Sequence, residues 1–120
     1  MATTDSQSTE ALAADRSSRP LDLIQVAEGA VVSRVLMRSS GGNVSLFAFD
    51  RNQGLSEHAA PFDALVQVVD GSLEVTIGGV AVTVETGEMV RMPATVPHAL
   101  HAPEPCRMIL TMLREIEKGD

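Results

Sequence analysis

Three histidines and a single cysteine are the side chains through which this chain of 120 residues could do acid–base or nucleophilic chemistry. Two of the imidazoles are placed alike. His58 follows a turn at Gly54 and opens an apolar run, and His98 follows Pro97 and opens another short extended run. Imidazole exchanges protons near neutral pH, so two of them at one cavity mouth suit general acid–base work or the binding of a small polar ligand. His101 has the opposite parity to His98 and reads as an exposed strand residue. Cys106 has no histidine close by in sequence to take its proton and reads as a small buried hydrophobe. Ser56 shares a strand face with His58, but no acid is placed to orient the ring, so a Ser–His nucleophile is not expected.

Whether His58 and His98 can meet depends on the strands that carry them. From Gly54 to Gly71 the chain is apolar and rich in β-branched residues, and Asp70-Gly71 closes it with a strong hairpin signal. If residues 58–68 are extended throughout, alternation puts His58, Ala60, Phe62, Ala64, Val66 and Val68 on one face. Asp63, Leu65, Gln67 and Val69 then share the other. Further runs at 31–37, 44–49, 73–77, 80–84, 88–92, 98–102 and 107–113 read as strands, each bounded by Gly or Pro; Gly78-Gly79 joins two of them as a hairpin. No segment sustains a helical period. Short strands at roughly 8- to 12-residue spacing predict a closed or sandwiched antiparallel β architecture.

Composition narrows the function. The net charge of −7 disfavours phosphate backbones and anionic membrane surfaces, so neither a nucleic-acid nor a membrane partner is expected. Hydrophobic residues make up 44% of the chain, yet there is no Trp or Tyr and only three Phe, so the core must be aliphatic and filled out by Met. With one cysteine, no signal-peptide pattern and no long apolar run, the chain reads as cytoplasmic. Residues 1–19 are rich in Ser, Thr, Ala and Asp and are expected to form a disordered tail. One barrel is expected over residues 20–114, and 115–120 form a charged end.

The spacing of these residues resembles a small single-domain cupin of the type-2 conserved barrel family. That resemblance implies an all-β double-stranded β-helix, or jelly-roll barrel. The family's first motif is Gly, five residues, His-x-His, three or four residues, Glu, six residues, Gly; His58 takes its first His place and Gly71 its closing Gly. The second motif is Gly, five residues, Pro-x-Gly, two residues, His; Gly87, Pro93 and His98 match it. Four positions depart. Asn52 and Thr95 replace motif glycines, Ala60 stands where a second metal-binding His belongs, and Ala64 stands where the Glu belongs.

A cupin with all four ligands holds one divalent transition metal, and this chain keeps only two of them, His58 and His98. Zinc, nickel, iron, manganese or copper remains open, as does no metal at all, since such sites ordinarily need three or more protein ligands. Glu57 and Asp63 are candidate recruits, Asp63 only if a bulge near Pro61 slips the register. Met37, Met89 or Met92 would offer a soft thioether. The expected pocket is lined by Ala60, Phe62, Ala64, Val66, Met92 and Leu100, and its ligand is a small molecule. Two functions follow: a binding barrel with a reduced two-histidine site, or a metal-dependent oxygenase or isomerase acting on a small oxygen-rich metabolite. The apolar outer face of Leu65, Gln67 and Val69 suggests a homodimer, unless the N-terminal segment covers it.

Overall fold

Residues 12–114 are described by the computed structural model of this protein; the first eleven residues of the expected tail at 1–19, and the charged end at 115–120, lie outside the described residues. After a four-residue helix, α1 (Pro20–Leu23), nine strands follow: β1 (Val31–Ser39), β2 (Gly42–Phe49), β3 (Gly54–His58), β4 (Asp63–Asp70), β5 (Ser72–Ile77), β6 (Val80–Glu85), β7 (Met89–Met92), β8 (His98–His101) and β9 (Cys106–Leu113). They form two antiparallel sheets, one in the order β1-β2-β9-β4-β7 and the other β3-β8-β5-β6. The expected all-β jelly roll is what the chain builds. Helix α1 has no counterpart in the sequence reading, because four residues are too few to show a period. Pro20 starts it at a position where a missing N–H does no harm.

Residues 58–68 are not one strand, contrary to the sequence expectation. β3 ends at His58 in the four-stranded sheet, residues 59–62 cross between the layers, and β4 begins at Asp63 in the five-stranded sheet. Pro61 lies in that crossing, where it has no ladder hydrogen bond to donate and fixes its own φ. Beyond the break the alternation holds: Ala64, Val66 and Val68 are buried, while Leu65, Gln67 and Val69 are half-buried.

The main core fills the space between the sheets, with Phe49, Val66, Leu73, Val75 and Met108 wholly enclosed. A second, smaller core lies where Ile24 meets Leu36, Leu46 and Ala48, with Val26, Val32 and Ile109 packed around them. These are the outward-facing positions of β1, β2 and β9, so the segment after α1 covers part of the five-stranded sheet's outer face. Arg107 fastens it there. Its guanidinium donates to the Leu21 and Ile24 carbonyls at 3.1 Å and to the Asp70 carboxylate at 2.8 Å. Leu12 donates its N–H to the Leu36 carbonyl, so contact with the barrel begins before Pro20.

Candidate functional site

β3 and β8 are neighbours in one sheet, and their ladder sets His58 opposite His98 across a register irregularity between Leu55 and His58. The rings meet edge to face, with centroids 4.4 Å apart and Nε2 atoms 3.3 Å apart. His98 is buried and His58 is exposed at the rim. Each ring uses its other nitrogen on the backbone: His58 Nδ1 donates to the Ser56 carbonyl at 2.9 Å and His98 Nδ1 to the Val96 carbonyl at 3.2 Å. Carbonyls only accept, so both Nδ1 atoms carry a proton. In two neutral rings, both Nε2 atoms would then present lone pairs to each other. Such a pair is satisfied by a shared extra proton, by a cation between the rings, or by a donor on a ligand.

Backbone bonds hold this mouth in shape. Thr95 donates its N–H to the Ala60 carbonyl at 2.7 Å, and Gly78 donates to the Pro97 carbonyl at 2.8 Å. The Asp63 carboxylate accepts the Ala94 N–H at 2.7 Å and lies 3.5 Å from the Arg91 guanidinium. Asp63 therefore braces the loop leading to His98 and is not aimed at the imidazole pair. Glu57 is exposed, and among the described residues no cluster of three His, Cys, Asp or Glu could hold a metal. Of the four candidate ligands, only His58 and His98 come together. Met37 and Met89 are exposed on the outside, and Met92 alone of the methionines considered reaches the cavity.

Would the residues fit a resident transition metal? Two imidazole nitrogens bonded at about 2.0–2.1 Å to a tetrahedral ion lie about 3.3–3.4 Å apart, so the 3.3 Å separation fits two corners of such a site. No His, Cys, Asp or Glu among the described residues joins them to make a third corner. The donor set does not by itself fit a metal of the family's usual kind.

Behind the pair is an enclosed cavity of about 50 Å³. Ala60, Phe62, Ala64, Met92 and Leu100 line it as expected, and Leu55, Leu110 and Met112 complete its walls. Val66 does not line it: its side chain is fully enclosed in the main core beyond the cavity floor. Leu110 and Met112 were invisible in the sequence because they enter through β9, whose partner β4 (Asp63↔Leu113 to Asp70↔Arg107) is separated from it along the chain by four strands. Single-strand parity carries no signal of that partnership.

The other reactive groups lie elsewhere. His101 points outward, 4.0 Å from the Glu74 carboxylate. Cys106 is wholly buried, and burial pushes its thiol up to about 12, so it is no nucleophile at neutral pH. A larger groove of about 450 Å³ runs between Pro20-Leu21 and Gln67, Val69 and Met89; Arg19 and Glu88 also line it, but it holds no histidine or cysteine. The small cavity is the better candidate because it joins an apolar wall to converging polar atoms.

Comparison with known proteins gives the same fold. A family model described as "Cupin domain" matches residues 46–112. A conserved protein of unknown function from Streptococcus pyogenes superposes with a TM-score of 0.85 at 26% identity, covering 90% of this chain and 95% of that one. A cupin superfamily protein from Desulfitobacterium hafniense DCB-2 gives 0.81 at 25% identity, covering 88% and 97%. A cupin 2 conserved barrel domain protein from Leptotrichia buccalis gives 0.75 at 31% identity, covering 78% of this chain but only 45% of its own. No curated protein matches the chain.

Proposed function

The chain belongs to the cupin domain family, and on that footing we propose that it is a small-molecule-binding barrel whose ligand brings an oxyanion to His58 and His98. The observation that carries this reading is the facing pair of Nε2 atoms at 3.3 Å. With both Nδ1 protons committed to carbonyls, the gap between the two lone pairs takes a ligand donor, a shared proton or a cation, and the last two would make the mouth positive. In a protein of net charge −7 that is a local exception. An apolar cavity behind it selects a small anion with an apolar body.

In this reading His98, buried and fixed by Val96, sets the position of the charge, and His58 at the rim meets the incoming ligand. The Ala60 and Ala64 side chains leave room for the ligand where the family's other two donors would stand. The test is titration with short carboxylates, read from the histidine ring resonances. We expect His98→Ala to abolish binding and His101→Ala to leave it intact. Equal effects would refute the assignment of His98 to the site.

The 3.3 Å separation also favours a second reading, in which a metal shared by the two imidazoles and the ligand serves an oxygenase or isomerase. Metal analysis of untagged protein separates the two. About one equivalent, lost when both histidines become alanine, supports the metal, and less than about 0.1 equivalent after metal-replete growth removes it. A homodimer also belongs to this proposal. Its surface would be what the N-terminal segment leaves open, around half-buried Leu65, Gln67 and Val69 and exposed Met89. Sedimentation as a monomer at micromolar concentration would dismiss it.

A further inference from the structure

The cavity behind the histidines has one wall that is also the wall of another hollow. Phe62 lines the enclosed space of about 50 Å³ and, with Pro61, Asp63, Ala94, Leu113 and Arg114, an outer cleft of about 260 Å³. Phe62 is half-buried and lies in the segment that crosses between the two sheets, outside any strand. The Arg114 guanidinium stands over its ring, 5.3 Å from the centroid. A cation against the ring face holds a partly exposed aromatic in one orientation without enclosing it.

The size of the inner space sets what it takes while that ring is in place. One water-sized occupant needs about 10–15 Å³ measured this way, so the cavity admits a body of only a few heavy atoms. Phe62 is the one lining residue that this cavity shares with the outer cleft. Apart from the small Ala60 of the same crossing segment, the other walls come from strands, among them Ala64 from β4, Leu100 from β8, and Leu110 and Met112 from β9. Those positions are fixed by ladders on both sides of each residue, and Phe62 is not.

We propose that Phe62 is the residue that determines ligand length at this site. Its ring partitions the histidine cavity from the cleft under Arg114, so the native protein takes compact carboxylates and rejects those whose chain would run through the wall. This rests on the oxyanion reading of His58 and His98. Removing the ring joins the two hollows into one slot with the imidazole pair at its inner end and Arg114 and Asp63 at its outer end.

The test compares acetate, butanoate and octanoate on the full chain, followed through the histidine ring resonances. The wild-type protein is expected to bind acetate and butanoate, and to bind octanoate more weakly than either. Phe62→Ala should tighten octanoate by at least about tenfold while acetate stays within about threefold, because four added methylenes gain an apolar slot. Phe62→Leu, a safer variant for folding, and Arg114→Met, which frees the ring, should shift the octanoate-to-acetate ratio the same way by less. Changing both histidines to alanine in the Phe62→Ala background should abolish the response. Unchanged selectivity in all three wall variants, with acetate still bound, would overturn the role of Phe62 and leave the oxyanion reading standing. Failure of every carboxylate to move the rings in the wild-type protein would overturn both.

Discussion

Thr95 occupies a backbone conformation that its side chain opposes, and Thr95→Gly should make the protein more stable. Its φ is +67°, in the left-handed region, and a β-branched residue there is a genuine outlier. The crowding of Cβ against the following carbonyl is worth roughly 1–2 kcal/mol for an L-residue. Glycine removes that term but loses more freedom on folding, roughly 0.5–1 kcal/mol relative to alanine. The side chain contributes little else: Thr95 is exposed and its hydroxyl bonds only the adjacent Ala94 carbonyl. The balance is a gain of about 0.5–1 kcal/mol, or about 2–8 °C in melting temperature for a domain of this size. With no Trp or Tyr in the chain, far-ultraviolet circular dichroism on heating is the suitable assay. Thr95→Ala is the control, since it keeps the Cβ and hence the strain, and it should melt no higher than the wild type. If Thr95→Gly melts at or below Thr95→Ala, strain at this position is not a real reserve of free energy.

The two glycines retained from the family motifs should behave differently when changed to alanine. Gly71 has φ +103° and its new Cβ would run into the Pro105 carbonyl, so Gly71→Ala should destabilise by more than about 2 kcal/mol. Gly87, at φ +88° with open space around it, should cost no more than the left-handed backbone term of roughly 1–2 kcal/mol; urea unfolding of both variants checks the order. The Cys106 thiol should resist a disulfide reagent at neutral pH in the native protein and react promptly in urea. Because burial raises it from 9.0 to about 12, the folded state holds its proton longer than the unfolded one. Its contribution is therefore intact below pH 9 and lost as pH rises towards 12, so stability should fall over that interval and the fall should vanish in Cys106→Ala. Asp63→Ala should lower stability by roughly 1–2 kcal/mol through the orphaned Ala94 N–H, and should weaken carboxylate binding less than His98→Ala does. Loss of a bound metal in Asp63→Ala equal to that in His98→Ala would show instead that Asp63 is a ligand.

The parts of the fold that were legible in the sequence are those governed by local rules. The hairpin at Gly78-Gly79, the alternation of Ala64, Val66 and Val68, and the outward placement of His101 all follow from turn chemistry and period two. Asp70-Gly71 is a turn as expected but not a hairpin: it carries the chain from β4 in one sheet to β5 in the other, and those two strands do not pair. The convergence of His58 and His98 was anticipated from their matching places at strand ends, and β3 and β8 prove to be direct neighbours. What escaped was set by distance along the chain. Val66 shares a face of β4 with Ala64 but sits one pair further along it, in the closed core and not at the cavity, and only the pairing of β4 with β9 brings in Leu110 and Met112. The covering of the outer face by Ile24 depends on Arg107 meeting two carbonyls more than eighty residues away, which no window of local pattern contains.

The departures from the family's motifs also acquire a physical sense. Asn52 and Thr95 replace motif glycines, and both have φ +67°. The family's preference for glycine at these places is thus a preference for left-handed backbone, which this chain adopts with side chains that resist it to different degrees. Asparagine tolerates that region readily and threonine does not. The strained residue is the one whose N–H ties the crossing segment at Ala60 to the loop before His98. A site with four metal ligands is held partly by its ion. A site reduced to two imidazoles needs its geometry from the backbone, and here Thr95, Asp63 and the Val96 carbonyl supply it. The left-handed backbone at Thr95 persists because its N–H ties the segment that follows His58 to the loop that precedes His98.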